Sequence, residues 1–208
     1  MIVSRRIKPT VDIAISEDQH AYKTNNSAEI ALIKIIDTIT TQINTEPSTI
    51  RMLLVDTKKA FYSVEHKCLL TAIEDMCDKD IHCFLPWIQS FLTNRKQRIK
   101  LQTAEKTVFS NWKIKTRGLP QGTVTGPMYY NLITNDLQPK SNKSTYVKFA
   151  DDLTVLRPIS KTLPTDEMPK ELNNVLGWSE IKKNENQCKQ LIIQMRHKLQ
   201  ITLKISKM

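Results

Sequence analysis

Phe149-Ala150-Asp151-Asp152-Leu153 places two adjacent carboxylates between two short apolar runs, residues 146–149 and 153–156. Two such runs separated by a short turn predict a tight β-hairpin with the two charges at its tip. Adjacent like charges repel, so the pair is stable only in water or facing a cation. For an isolated Asp-Asp pair, a solvated surface turn is the favoured interpretation. A third carboxylate, Asp56, and a glycine-rich block between the two favour a functional site instead.

Asp56 follows a short, mostly apolar run, Ile50-Arg51-Met52-Leu53-Leu54-Val55. Such a run predicts a buried central strand that ends at Asp56. A carboxylate in that position is poorly placed for a core and well placed for a site at the edge of a sheet. If this strand and the hairpin are neighbours, the three carboxylates converge on one point. Oxygen ligands near phosphate favour magnesium, and two such ions can clamp the attacking and leaving oxygens of a phosphoryl displacement.

The glycine-rich block is Arg117-Gly118-Leu119-Pro120-Gln121-Gly122-Thr123-Val124-Thr125-Gly126-Pro127, which contains three of the four glycines. Glycine lets the backbone approach a ligand closely or turn with positive φ. Thr125 as N-cap and Pro127 near the first helical position predict a helix that runs to about Leu137. A glycine-rich loop leading into a helix suits a phosphate or a sugar; an ordinary loop–helix junction is the alternative.

Periodicity elsewhere completes an α+β pattern within one domain. Apolar residues at helical spacing predict helices over residues 27–43, 65–77, 82–92 and 165–182, the first with Asn26 as its N-cap. Alternation predicts a pair of strands over 96–101 and 108–115, and two closing strands over 188–194 and 199–205. Residues 1–25 show no periodic pattern and are predicted to be irregular.

Composition is that of a globular protein, and its basic excess suits a polyanionic partner, although such a balance also occurs in proteins that bind none. The 208 residues are 40% hydrophobic and 25% charged, with 31 Lys and Arg against 21 Asp and Glu, a net charge of +10. Residues 95–117 hold eight Lys and Arg against one Glu, and this clustering fits a phosphate-lined partner. No apolar run exceeds four residues and no signal peptide opens the chain, which predicts an intracellular protein of the cytoplasm or nucleus without membrane contact. The spacing of the four cysteines predicts neither a zinc site nor a disulfide framework.

Three blocks together resemble the palm motifs of a reverse transcriptase: Leu54-Val55-Asp56-Thr57-Lys58-Lys59-Ala60-Phe61, Gly118-Leu119-Pro120-Gln121-Gly122-Thr123 and Phe149-Ala150-Asp151-Asp152. Three other segments resemble the non-LTR, LINE-type retrotransposon branch: Gln19-His20-Ala21-Tyr22-Lys23, Trp87-Ile88-Gln89-Ser90-Phe91-Leu92-Thr93-Asn94-Arg95-Lys96-Gln97-Arg98 and Asn131-Leu132-Ile133-Thr134-Asn135-Asp136-Leu137. The likeness covers about residues 17–195. Each block alone is weakly specific, but their shared order and spacing are specific.

The resemblance implies a polymerase palm, a small antiparallel sheet backed by helices, with partial fingers. It implies RNA-directed DNA polymerase activity with two Mg²⁺ ions, an RNA template, a DNA primer and a dNTP. Asp56 and Asp151 would be the main metal ligands, with Asp152 assisting. Phe61 would lie beneath the sugar of the incoming nucleotide. The other residues implied at the nucleotide are Lys59, Gln121 and Gly122, and residues 95–117 would lie near the template–primer duplex.

The chain departs from the family pattern at three positions. Tyr62 stands where this branch usually has Asp, Thr123 replaces Ser, and Gln187 occupies the position of a lysine expected to assist the leaving pyrophosphate. The expected organisation is a lead-in with partial fingers over 1–49, a palm with a fingers-type insertion over 50–195 and a basic remnant over 196–208. No full thumb, endonuclease or zinc knuckle is expected. Two hypotheses therefore remain: a polymerase, or a truncated or repurposed palm that binds nucleic acid without catalysis.

Overall fold

The computed structural model describes residues 2–45, 48–77, 79–160, 167–182, 185–196 and 200–207. The helices in these ranges are α1 (Ile2–Ala14), α2 (Ala28–Thr45), α3 (Ala60–Ser63), α4 (His66–Met76), α5 (Lys79–His82), α6 (Leu85–Leu92), α7 (Thr125–Thr134) and α8 (Met168–Lys182). The strands are β1 (Ser48–Lys58), β2 (Arg95–Gln97), β3 (Lys100–Gln102), β4 (Thr107–Phe109), β5 (Lys113–Lys115), β6 (Thr145–Phe149), β7 (Asp152–Ser160), β8 (Glu185–Arg196) and β9 (Gln200–Lys207). Within these ranges, no helix has the length and apolar character needed to span a bilayer.

The predicted central strand is the middle of a five-stranded antiparallel sheet with the order β6-β7-β1-β8-β9. Leu53 and Val55 point to one face, where they pack with β6, β7 and α8. Ile50 and Met52 point to the other face, beneath α2. This two-sided burial explains the nearly continuous apolar sequence of the strand. β1 does not end at Asp56 as predicted, because its pairing with β8 continues to Lys58.

The hairpin is confirmed. Phe149 of β6 pairs with Asp152 of β7, which leaves Ala150 and Asp151 as the turn. Ala150 has a φ of 55°, in the left-handed region. The two closing strands are also present, as the antiparallel pair β8 and β9, although residue 199, where the second was predicted to start, is outside the described residues. Residue 195, the predicted end of the palm, lies inside β8, one residue before the strand ends.

The prediction that residues 1–25 are irregular is wrong, because α1 occupies half of them. Ile7, Val11 and Ile15 recur every four residues and are 1%, 0% and 3% exposed in the core shared with α4, α6 and α7. Pro9 lies inside the helix on its exposed side. Water can therefore reach the carbonyl group that Pro9 leaves without its helical donor.

Both predicted caps are displaced by one or two residues. Ser27, not Asn26, precedes α2, and its hydroxyl accepts a hydrogen bond from the Ile30 N–H at 3.4 Å. α7 begins at Thr125 itself, so the predicted cap there is wrong. The Thr123 hydroxyl instead accepts from the Gly126 N–H at 3.1 Å and donates to the Pro120 carbonyl at 2.7 Å.

The other helices match the prediction in type and differ at their ends. The helix predicted over 82–92 corresponds to α6, which begins three residues later, at Leu85, with Pro86 in its first turn. The short helix α5 ends at His82, where the predicted helix was to start. α7 stops at Thr134, three residues before the predicted end. The predicted start of the last helix, at residue 165, lies outside the described residues, and α8 begins at Met168.

Residues 95–117 form an exposed basic arm. The predicted strand pair is present but interrupted, with β2 pairing with β5 and β3 pairing with β4. The Arg98 guanidinium lies 4.0 Å from the centre of the Phe109 ring and 4.5 Å from that of Trp112. Trp112 and Ile114 remain 57% and 65% exposed. The arm therefore presents both cationic and aromatic groups to solvent.

Candidate active site

The sheet brings Asp56 and Asp152 directly opposite each other on adjacent strands β1 and β7. Directly opposed residues of an antiparallel pair project to the same face, with their Cβ atoms about 4.5–5.5 Å apart. Both carboxylates are exposed, on the face of β1 that α2 covers farther along the strand. Asp151 is the adjoining residue of the turn. The predicted convergence of strand end and hairpin is thus present in the backbone.

Asp152 and the nearby Tyr130 respond to the charges of the surrounding aspartates. Partial burial raises the pKa of Asp152, and the negative charges of Asp151 and Asp56 raise it further. Tyr130 of α7 lies close enough to sense the same charges. Burial raises the pKa of its phenol, and all three aspartates add to that rise. The local potential is therefore strongly negative, and it would be relieved by a bound cation.

A hard divalent cation fits the chemistry of these donors, since carboxylate oxygens are the ligands that Mg²⁺ prefers. Within the described ranges, however, no three acidic, histidine or cysteine side chains are arranged as a ready-made metal cage. The strand pairing therefore brings the backbones of Asp56, Asp151 and Asp152 together. To bind a shared ion, their side chains would have to turn towards that ion.

A narrow cleft beside the turn is lined by Thr57, Tyr130, Lys148, Asp151, Asp152 and Trp178, among others. Lys148 is 3% exposed and donates from Nζ to the Thr134 carbonyl at 3.1 Å. Burial lowers the pKa of this ammonium group to about 8, against the opposing effect of Asp18 and Asp136. Nothing in the sequence singles out Lys148, which stands there only as one polar residue in an apolar strand.

A second segment missed by sequence reasoning is a strap formed by residues 18–23, between α1 and α2. The strap runs beside β6, with its Gln19 bridged in parallel to Lys148. The His20 N–H donates to the Lys148 carbonyl at 2.9 Å, and the Lys148 N–H donates to the Asp18 carbonyl at 2.7 Å. The family resemblance marked this block but gave it no role. Its partner lies far along the chain, so no local pattern could reveal the contact.

Phe61, predicted at the nucleotide sugar, is fixed by the glycine-rich block. Its carbonyl accepts a hydrogen bond from the Leu119 N–H at 2.7 Å. Its ring stacks on Tyr130, with centroids 5.0 Å apart and planes inclined by 19°. Gly118 has a φ of 88°, and a Cβ atom there would lie 3.0 Å from the Tyr62 carbonyl oxygen. Glycine is therefore required where this loop meets the Phe61 segment.

The remaining predicted nucleotide residues lie on the exposed side of this loop. The Tyr62 phenol donates to Oε1 of Gln121 at 2.8 Å, and Lys115 Nζ lies 5.6 Å from the centre of the Tyr62 ring. Gly122 has a φ of 71°. Lys59 is exposed, with a φ of 54° before α3. The structure therefore brings Phe61 and Gln121 to one loop junction.

Gln187, at the position of the expected lysine, lies opposite Asp56 in the pairing of β1 with β8. The backbone thus places this position beside the carboxylates. Its side chain is outside the part of the chain that the structure describes.

Comparison with known proteins supports the fold and the family. The chain resembles apo telomerase from Candida tropicalis truncated from its C-terminal domain, with a TM-score of 0.64 and 12% identity over 100% of this chain and 45% of that one. It also resembles Candida tropicalis telomerase in complex with a TWJ fragment of telomeric RNA, with a TM-score of 0.64 and 12% identity over 99% of this chain and 37% of that one. The chain thus spans less than half the length of these telomerase chains. The likeness confirms the predicted α+β fold.

No curated protein matches the chain. The family model described as reverse transcriptase (RNA-dependent DNA polymerase) matches residues 1–202, which is nearly the whole sequence. The match agrees with the opposed carboxylates Asp56 and Asp152 and with the contact between Phe61 and the glycine-rich block. It establishes the family of the chain. The chain belongs to the reverse transcriptase family.

Proposed function

We propose that this chain is the catalytic region of an RNA-directed DNA polymerase of the LINE type, in which the primer 3′-oxygen attacks the α-phosphorus of a dNTP. One P–O bond forms, the bond to the β-phosphate breaks, and pyrophosphate leaves. The observation that carries this proposal is the register that opposes Asp56 to Asp152, with Asp151 in the adjoining turn. The assignment of 1–49 to partial fingers, 50–195 to the palm and 196–208 to a basic remnant belongs to the same proposal.

Asp56, Asp151 and Asp152 are the residues that would hold two Mg²⁺ ions. When bound, such ions neutralise charge on the phosphates and acidify the attacking hydroxyl group. The other residues of the proposed site contribute by positioning the nucleotide. Phe61, whose ring stacks on Tyr130, would lie with an aromatic face beneath the nucleotide sugar. Gln121, Gly122 and Lys59 lie on the solvent side of the adjoining loops, where a nucleotide can approach.

The basic arm is the proposed contact for the template–primer duplex. Its cationic excess suits a phosphate backbone, and its exposed aromatic groups suit stacking on bases. Lys96, Lys100 and Lys113 are all exposed. Each phosphate contact that they make would steepen the salt dependence of binding by about one unit of log–log slope.

Primer extension on an RNA template, with Mg²⁺ and dNTPs, tests the catalytic proposal. Asp151→Asn is expected to lower the rate about 100-fold or more, because one metal-holding charge is lost. Asp75→Asn is the matched control, since Asp75 is an exposed aspartate on α4. Extension by the wild type that is no faster than that of Asp151→Asn would overturn the catalytic proposal for this chain.

A palm that binds nucleic acid without catalysis is the second candidate. It is favoured by the contact that engages Gln121 with Tyr62, a residue that departs from the family pattern. Affinity for an RNA–DNA duplex should be measured against salt for the wild type and for Lys96→Gln/Lys100→Gln/Lys113→Gln, with Lys34→Gln/Lys67→Gln as the control. Steep salt dependence that only the arm variant reduces, without any extension, would support this candidate. A flat plot for the wild type would overturn the duplex contact itself.

A further inference from the structure

The turn that carries Asp151 is held from outside the hairpin by the side chain of Gln19. We infer that Gln19 is a positioning residue, which fixes the conformation of Ala150 and so the placement of Asp151 for binding a divalent cation. The inference rests on the proposed function, because it assigns Asp151 to the metal site. It assigns a role to a residue that touches neither substrate nor metal.

Ala150 needs such support. Its φ of 55° lies in the left-handed region, which is unfavourable for a residue with a side chain. Conformations of this kind persist only where the surrounding structure determines them. Gln19 supplies the restraint at both backbone polar groups of Ala150. Its Oε1 accepts from the Ala150 N–H at 3.1 Å, and its Nε2 donates to the Ala150 carbonyl at 3.5 Å.

Gln19 is itself rigidly held. It is 1% exposed, and its Oε1 also accepts from the Ala21 N–H at 3.0 Å. Asn131 of α7 donates to the Ala21 carbonyl at 2.7 Å, which anchors the strap to the helical core. The backbone bonds between the strap and Lys148 fix the distance from Gln19 to the turn. Because Gln19 is itself held by the strap and the helical core, it acts on Ala150 as a fixed group and not as a flexible side chain.

The consequence for Asp151 follows from the geometry of the backbone. The orientation of the Ala150 peptide sets the direction in which the Asp151 side chain leaves the turn. The Thr57 hydroxyl donates to the Asp151 carbonyl at 3.4 Å, on the other side of the residue. A glutamine is also suited to this position by charge, because it binds both an N–H and a carbonyl group without adding charge beside three carboxylates.

Gln19→Met tests the role, because methionine keeps the length of the side chain and removes its hydrogen bonds. Asn135→Leu is the matched control, since Asn135 clamps another backbone segment in the same manner. Its Oδ1 accepts from the Ser16 N–H at 2.7 Å and its Nδ2 donates to the Ala14 carbonyl at 3.0 Å, at the end of α1. Mn²⁺ affinity by electron paramagnetic resonance, thermal unfolding and amide hydrogen exchange of Ala150 are the three measurements.

We expect Gln19→Met to weaken Mn²⁺ binding about tenfold or more and to accelerate exchange of the Ala150 amide. Asn135→Leu should lower the melting temperature while leaving both quantities at the wild-type value. Equal loss of Mn²⁺ affinity in the two variants would show a general effect of destabilisation and would overturn the inference. Unchanged affinity in Gln19→Met would overturn it as well.

Gln19→Met/Ala150→Gly covers the case in which the single variant folds poorly. Glycine adopts the left-handed conformation without strain, so it relieves the hairpin but does not restore the restraint. The double variant should therefore regain thermal stability and still bind Mn²⁺ about tenfold more weakly than wild type. Wild-type affinity in the double variant would contradict a positioning role. A wild-type chain that binds no Mn²⁺ would instead overturn the proposed function, and this inference with it.

Discussion

The Tyr62 phenol and the Gln121 side chain are joined by a hydrogen bond of 2.8 Å that ties the α3 segment to the glycine-rich loop. Tyr62 is one of the positions where the chain departs from its family pattern, and Gln121 is a proposed nucleotide contact. The Lys115 ammonium group stands over the same tyrosine ring. Tyr62, in place of the usual Asp, therefore replaces a carboxylate with a phenol that contacts the glycine-rich loop directly.

Tyr62→Phe should raise the KM for dNTP about fivefold with little change in kcat, because a hydrogen bond of this kind contributes about 1 kcal/mol to the position of Gln121. The phenylalanine ring keeps its contact with Lys115, so the change isolates the hydroxyl group. Steady-state primer extension is the measurement. Tyr22→Phe, at another exposed tyrosine, is the control. A KM equal to that of wild type would show that Gln121 is positioned without Tyr62.

Gly126→Ala should destabilise the fold by about 1–3 kcal/mol, because overpacking against a fixed backbone forces a local shift. A Cβ atom at Gly126 would lie 2.7 Å from the Pro120 carbonyl oxygen. Gly177→Ala is the matched comparison, since no atom lies within 4 Å of the added Cβ and the residue is inside α8. It should stabilise by about 0.5–1 kcal/mol. Urea unfolding of both variants measures these two opposite changes in the free energy of unfolding. An unchanged free energy of unfolding in Gly126→Ala would contradict the close approach of Gly126 to Pro120.

The stability of the wild type should rise between pH 8 and 9.5 through Lys148. Burial lowers the pKa of this lysine from 10.5 to about 8 in the folded chain. Between these values the unfolded chain binds more protons, so raising the pH favours folding, by roughly 1–2 kcal/mol over this window. Well below pH 8, where the lysine is charged in both states, the cost of the buried charge is constant. Urea unfolding as a function of pH, compared with Lys148→Met, isolates this lysine. Equal slopes for the two proteins would contradict the lowered pKa.

Glu171→Leu should cost about 3 kcal/mol or more, because it leaves several buried donors without an acceptor. The Glu171 carboxylate is 0% exposed and accepts from the Lys140 N–H at 3.1 Å, the Ser141 N–H at 3.1 Å and the Tyr146 hydroxyl at 2.8 Å. Glu180→Gln, at an exposed glutamate of the same helix, should stay within about 0.5 kcal/mol of wild type. Thermal unfolding compares the two. Similar melting temperatures would show that α8 does not depend on this acceptor.

Sequence reasoning predicted the elements whose pattern is local. β1 has the composition of a strand buried on two faces, and the hairpin is bounded by apolar runs on either side of Ala150 and Asp151. α1 was missed because Pro9 and the polar residues around it obscured the repeat of Val3, Ile7, Val11 and Ile15. That repeat is the signal that could have found it. The caps failed because neighbouring polar residues compete for each helix start, Asn26 with Ser27 and Thr125 with Thr123.

The carboxylates of the site could be predicted from the sequence, but the residues that hold the site in place could not. Asp56 and the Asp151-Asp152 pair stand out because each follows an apolar run closely in the sequence. The Gln19 contact with Ala150 and the Tyr62 contact with Gln121 join segments that are distant in sequence. Neither pair has a local pattern, since a polar side chain that bonds across the fold looks like any solvated residue. The ligand geometry is likewise undetermined by register alone.

The central position of β1 has a consequence for the chain as it leaves the ribosome. Both sheet neighbours of β1 are synthesised roughly 100 residues or more after it, which takes about 5–20 s or longer. In that interval the preceding α2 can cover Ile50 and Met52 with Ile35, Ile39 and Ile43. Leu53 and Val55 have no such early cover, because their partners lie in β6, β7 and α8. The nascent chain therefore carries an unpaired apolar strand until β6, β7 and α8 are made, and its yield in cells should depend on chaperones and on growth temperature.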